Sequence, residues 1–184
     1  MSRLLVTGGS GFIGTNLISD LESTFDICNF DICKPRNELH LNYWKNVDIR
    51  NYENLRKEAV KFRPDFIIHL AARTDLDSDN IADYDSNTVG TKNLVKLVNE
   101  FQSLTKIIFC SSKFIAPNGY IVSDQFDMIP HTTYGESKKL GEQFIWQNEP
   151  KCDWCIIRPT SIWGPYFDEP YKNFFEFISK GHYF

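Results

Sequence analysis

The sequence predicts an α/β fold: a doubly wound parallel sheet with helices on both faces. Three observations carry this prediction. Apolar runs with strand character alternate with stretches of helical periodicity along the whole 184-residue chain, the spacing of βαβ units with right-handed crossovers. The run from Asp65 to Leu70 is continuously apolar through its interior, as a strand covered on both faces must be. A glycine-dense turn, Gly8-Gly9-Ser10-Gly11-Phe12-Ile13-Gly14, joins the first apolar run to the first helical one.

Taken in order, Leu4-Leu5-Val6 reads as a buried strand and Thr15 to Leu21 as a helix. Phe25 to Asp31 is a second strand ending on an acid, and Trp44 to Ile49 a short third. Asn51 to Phe62 is helical, with Leu55, Ala59 and Val60 on one face. After the Asp65–Leu70 strand come the small residues Ala71-Ala72, then a long helix from Asp83 to Phe101 carrying Val89, Leu94, Val95, Leu97 and Val98. Lys106 to Cys110 is a buried strand that runs into Ser111-Ser112. A loop with Pro117, Asn118, Gly119 and Pro130 leads to a helix from Thr133 to Gln147, and Trp154 to Arg158 is the sixth strand. The last stretch, Tyr171 to Phe184, reads as a helix with Phe174, Phe175, Phe177 and Ile178 as an apolar stripe.

Composition narrows the function classes. The length and a hydrophobic content of 42% suit one globular domain. A net charge of −4 without any basic run argues against nucleic acid as a partner. No apolar stretch reaches membrane-spanning length and the N-terminus opens directly on a strand, so a cytoplasmic location is the expectation. The odd count of five cysteines fits reduced thiols. Cys152-Asp153-Trp154-Cys155 has metal or redox spacing, but no second pair or histidine cluster accompanies it, so no metal site is expected.

The chemistry begins at the glycine turn. Gly9 to Gly14 fits G-x-G-x-x-G, and Gly8, Gly11 and Gly14 fit a second glycine spacing. A turn this tight lets a pyrophosphate approach the backbone, and the helix behind it offers free N–H groups and a positive dipole end. Asp31, twenty residues after Gly11, would accept hydrogen bonds from an adenosine ribose. Further on, Tyr134-Gly135-Glu136-Ser137-Lys138 sets a phenol and an ammonium four residues apart on one helix face. A tyrosine needs a nearby cation to act as a base at neutral pH, and Lys138 would supply it. Ser112 at a strand end could bind the same substrate oxygen.

With these residues in place the chain resembles the extended short-chain dehydrogenase/reductase family. Its nearest group is the NAD-dependent nucleotide-sugar epimerases and dehydratases, of the UDP-glucose 4-epimerase type. The resemblance rests on Thr7–Gly14, Asp48-Ile49-Arg50, His69–Ala72, Asn87–Leu94, Ser111-Ser112, Tyr134-x-x-x-Lys138 and Arg158–Pro165. It implies a Rossmann-type domain binding NAD. Gly8, Gly11, Phe12, Ile13 and Gly14 would hold the pyrophosphate, Asp31 the ribose, and Asp48 and Ile49 the adenine. Leu70, Ala71 and Ala72 would line the cofactor's far side, Asn87 would support it, and Pro159 and Thr160 would lie near the nicotinamide. Tyr134 would be the catalytic base, Lys138 would bind the nicotinamide ribose, and Ser112 would complete a triad acting on C4 of a nucleotide sugar. Family resemblance also implies homodimers through the long helices around Asn87 and Tyr134.

The sequence departs from that pattern in three places. Lys113-Phe114-Ile115-Ala116-Pro117 replaces the usual run after the serines and lacks the acid pair of a dehydratase. Ser161 stands where an asparagine commonly meets the substrate. Family members continue into a smaller substrate-binding lobe, so residues 1–184 are expected to form the Rossmann domain, with about 166–184 opening a lobe that is largely missing. Two alternatives stay open: an NADPH-dependent keto-sugar reductase, since Lys34 and Arg36 follow Asp31, and a non-catalytic dinucleotide-binding module.

Overall fold

The strands Arg3–Thr7 (β1), Asp26–Asp31 (β2), Trp44–Asn46 (β3), Phe66–His69 (β4), Lys106–Cys110 (β5) and Asp153–Ile157 (β6) form one sheet. The computed structural model describes residues 1–167 and 171–181. All neighbouring strands run parallel, in the order β3-β2-β1-β4-β5-β6. The order reverses direction after β1, so the crevice of a doubly wound sheet opens above the carboxyl ends of β1 and β4.

The helices are Phe12–Leu21 (α1), Tyr52–Phe62 (α2), Thr91–Val98 (α3), Thr133–Asn148 (α4) and Tyr171–Ser179 (α5). Because side chains alternate along a strand, β1 feeds two cores. Leu4 and Val6 join Ile18 of α1 on one face, whereas Leu5 joins Leu55, Leu94 and Ile145 of α2, α3 and α4 on the other. A sheet covered on both sides follows, as the apolar interior of β4 predicted.

Four expectations are corrected. Strand β3 ends at Asn46 because Val47 and Ile49 turn into the core, and the Asn51 amide closes a turn on the Asp48 carbonyl. Val60 is 43% exposed: α2 is capped at both ends and turns Leu55 and Ala59 into the core, with Tyr52 and Phe62 packed at its margin. The long helix expected from Asp83 is broken. Residues Ile81–Tyr84 form a 3₁₀ turn, Ser86–Gly90 a π turn, and regular α-helix starts at Thr91, with Val89 outside the core. The wide turn aims the Asn87 amide at Arg73 and Ser137, contacts that a regular register would forfeit. In α5 the apolar stripe divides. Phe175 packs on Trp163 and Phe167, but Phe174 is 57% exposed. The residues His182 to Phe184 of that expected helix lie outside the described residues.

Candidate active site

The glycine turn is built by three glycines with different duties. Gly8 takes φ +75°, and a Cβ there would lie 2.4 Å from the Ala71 amide nitrogen, so β1 and the Leu70–Ala71 backbone touch. A Cβ at Gly14 would lie 2.4 Å from Gly9 Cα, which fixes α1 against the turn. Gly11 is otherwise: its φ of −74° and ψ of 178° suit any residue. A Cβ there would meet only the Gly8 carbonyl oxygen, at 3.4 Å. Among the described residues nothing demands glycine at this position, which is the N-cap of α1 and offers no side-chain cap. The space a Cβ would fill lies at a helix start with open N–H groups, a setting for an anion.

The turn is held from β2. Asn29, fully buried, accepts a hydrogen bond from the Gly9 amide at 2.9 Å and donates to Ser10 Oγ at 3.1 Å. Two residues on, Asp31 accepts from the Ser10 amide at 3.0 Å and the Cys33 amide at 2.9 Å. Asp31 is therefore anchored beside the turn. Sequence reasoning missed Asn29. Its signal was an amide inside an apolar strand, two positions before the acid and hence on the same face.

Under the turn, His69 bridges Thr7 and Thr91. Thr7 Oγ1 lies 2.7 Å from Nδ1 and Thr91 Oγ1 lies 3.3 Å from Nε2. Thr91 donates onward to the Asn87 carbonyl at 2.8 Å, which assigns the ring proton to Nε2. Burial, with the Lys138 charge adding to it, pushes His69 down to about 3, so the ring is neutral. Asn87 is saturated: its amide donates to the Arg73 carbonyl at 2.9 Å and Ser137 Oγ at 2.8 Å, and accepts from the Arg73 amide at 2.8 Å. It ties the loop after β4 to α4.

Helix α4 carries Tyr134 and Lys138. Thr132 caps it by accepting from the Gly135 amide, and Gly135 lets the loop after β5 sit on its first turn, since a Cβ there would meet the Phe114 carbonyl. That loop begins at Ser112, whose hydroxyl hydrogen-bonds Tyr134 and accepts from the Phe114 amide at 3.1 Å. Tyr134 is 8% exposed, with the Phe114 ring edge-on at 5.8 Å. Burial raises its pKa and only Ser112 opposes this. Lys138 Nζ donates to the Cys110 carbonyl at 3.0 Å and stands 5.9 Å from the Tyr134 ring centre, itself pulled down by burial. The shift of Tyr134 comes from burial, with Ser112 opposing it.

The remaining candidates separate into two groups. The Lys113 amide donates to the Pro159 carbonyl at 3.0 Å, and Asn16 of α1 reaches the Pro165 carbonyl at 2.8 Å. The loop after β6, with Thr160 and Ser161 exposed, therefore spans from the serine loop to the start of α1. Asp48 lies beyond β3, its carboxylate held below the usual range by Arg50, which also bonds Asp85. Ile49 is a core residue packed against Gly90. Gly8 to Gly14, Asp31, Leu70 to Ala72, Ser112, Pro159 and Thr160 share one rim at the carboxyl ends of the strands.

Residues 4–182 match the profile of the NAD dependent epimerase/dehydratase family. The chain belongs to this family. A 3-beta-hydroxysteroid dehydrogenase from Mycolicibacterium neoaurum is 30% identical over 99% of this chain and 53% of its own length. A CDP-paratose 2-epimerase from Salmonella typhi is 30% identical over 78% of this chain and 52% of its own. In fold, the Bordetella bronchiseptica enzyme WbmG, solved in complex with NAD, superposes with a TM-score of 0.82 at 22% identity, over 97% of this chain and 60% of that one. The chain thus spans about half the length of the curated relatives it matches. Members of this epimerase/dehydratase family are NAD-dependent enzymes, and the relatives named here include both a dehydrogenase and an epimerase. No helix among the described residues is long and apolar enough to cross a membrane.

Proposed function

We propose that the chain is the cofactor-binding and catalytic portion of an NAD-dependent nucleotide-sugar epimerase acting at the sugar C4. The observation that carries this reading is the convergence of Ser112, Tyr134 and Lys138 on the rim that also holds the glycine turn and Asp31. The residues fit NAD: the uncapped start of α1 with its open space at Gly11 suits a pyrophosphate, and anchored Asp31 suits ribose hydroxyls. Leu70, Ala71 and Ala72 would flank the cofactor, Asp48 and the Ile49 backbone the adenine, and Pro159 and Thr160 the nicotinamide end. NAD, when bound, takes the hydride from C4 and gives it back.

This chain's residues handle the proton. Tyr134 would accept it from the C4 hydroxyl, Ser112 would hold the same oxygen, and Ser161 would contact the sugar. Burial raises the Tyr134 pKa and the Ser112 hydroxyl opposes it, so a cation brought beside the phenol would favour its role as base. Lys113 and Phe114 follow Ser112 and supply no acid pair for expelling water, which favours epimerisation over dehydration. Dimerisation through the segment around Asn87 and α4 belongs to this reading, supported by exposed Val89 and Leu140 on those elements. So does a cytoplasmic location, supported by five free thiols.

A second reading, oxidation of a ring hydroxyl on a steroid-like substrate, is favoured by the relative that is 30% identical over 99% of this chain. Both are tested by assaying a panel of UDP-sugars and 3-hydroxysteroids with NAD, using the chain and its Tyr134→Phe variant. The proposal expects UDP-sugar turnover that falls at least a hundredfold in Tyr134→Phe, with NAD affinity retained. Turnover of the steroids alone supports the second reading. Equal background rates in both proteins, with NAD bound, would support a dinucleotide-binding module, or reflect that the chain spans only about half the length of its relatives.

A further inference from the structure

Glu142 follows Lys138 by four residues, as Lys138 follows Tyr134, so the three share one stripe of α4. The Glu142 side chain is 2% exposed. Arg158, at the end of β6, grips it in a fork: Nε lies 3.0 Å from Oε1 and Nη2 lies 2.6 Å from Oε2. Arg158 Nη2 also donates to the Gln125 carbonyl at 2.6 Å. Lys138 and Glu142 line a common cavity of about 20 Å³ with His69 and Ser111, whose hydroxyl has no partner among the described residues. That volume accommodates one bridging water and nothing larger.

A buried ammonium sheds its proton unless an opposite charge faces it, and a buried carboxylate needs a partner of its own. The groups packed around Lys138 leave Glu142 as the source of such a charge. His69 from β4 is neutral, burial pushes the Cys110 thiol of β5 up, and Tyr134 is a phenol with a raised pKa. Cys110 and, after it, Glu142 favour the charged lysine. Because burial keeps the Cys110 thiol protonated, Glu142 is the group of the two that can carry a standing negative charge, and Arg158 from β6 holds it in place.

We propose that Glu142 is the counter-charge of Lys138, locked by Arg158 and acting across the small cavity behind the catalytic stripe. Glu142 is then a positioning residue. It keeps Lys138 an ammonium in a site that desolvates it, and it binds the helix bearing Tyr134 to the strand that leads into Pro159 and Thr160. The role of Lys138 as cofactor-ribose ligand belongs to the proposed function on which this inference rests, but the charge on Lys138 can be read without any cofactor.

The test is an NMR titration of the Lys138 Nζ group in the ligand-free chain, with the resonance assigned by its loss in Lys138→Arg. Glu142→Gln is expected to lower the Lys138 titration midpoint by roughly one pH unit. Glu142→Asp, which keeps a carboxylate facing Arg158, is expected to hold the midpoint near the parent's, above that of Glu142→Gln. The Glu142→Gln/Arg158→Gln double variant, which removes both charges of the buried pair, is also expected to fall below Glu142→Asp, a comparison that survives even if Glu142→Gln alone does not fold. Coincident midpoints in Glu142→Asp and the variants without the carboxylate overturn the proposal. A purely structural ion pair would change thermal stability and leave these midpoints together. Failure of the chain to bind NAD would contradict the proposed function and leave this titration unaffected.

Discussion

At the level of single residues, two glycines of the same motif answer to different demands. Gly8 is required by the chain itself, through a positive φ and the Ala71 backbone 2.4 Å from a would-be Cβ. Gly11 is required by nothing in the chain, so its value lies in what approaches it. Gly8→Ala is therefore expected to cost about 3 kcal/mol or more in urea unfolding, from left-handed strain plus the clash. Gly11→Ala should unfold within about 1 kcal/mol of the parent and lose at least tenfold in NAD affinity by calorimetry. Equal stability losses in the two variants would contradict this division. The motif was legible in the sequence because spacing alone displays it. The division of labour was not, since it depends on where Ala71 passes. Asn29 escaped for a similar reason, because its amide matters only through the Gly9 and Ser10 groups folded onto it.

At the level of elements, strands and α4 were legible because local pattern and tertiary demand agree there. The apolar interior of β4 and the four-residue spacing of Tyr134 and Lys138 are visible before any fold is known. The break before α3 was not. Residues 83–101 carry helical periodicity, but Asn87 has long-range partners in Arg73 and Ser137, and side-chain hydrogen bonds across 14 and 50 positions outweigh local propensity. Likewise Val60 and Val89 fall on helical faces by count, yet both stay exposed, Val89 within the π turn before α3. The electrostatics of α4 were the least legible part. Tyr134 and Lys138 are both shifted by desolvation, toward the neutral form in each case, and burial is a property of the assembled sheet.

At the level of the whole molecule, the six parallel strands gather the candidate residues at one edge, and a histidine sits in their midst. His69 titrates near 3 in the folded chain against an ordinary value of 6.5, because burial disfavours the charged ring. Unfolding lets it gain a proton, so stability present above about pH 6.5 is lost as the pH falls toward 3. His40, also lowered by burial, acts in the same direction. Urea midpoints are expected to fall between pH 7.5 and 4.5, and less steeply in His69→Gln. An unchanged slope in that variant would place the acid sensitivity elsewhere. Above all these details stands the claim that the rim over β1, β2 and β4 is an NAD site with Asp31 as its selector. Calorimetric titration of the chain and of Asp31→Ala with NAD and with NADP tests it most directly. NAD is expected to bind, and more tightly than NADP, and Asp31→Ala is expected to weaken NAD by at least tenfold while sparing NADP. Folded chain that binds neither dinucleotide, or that prefers NADP with Asp31 in place, would contradict it.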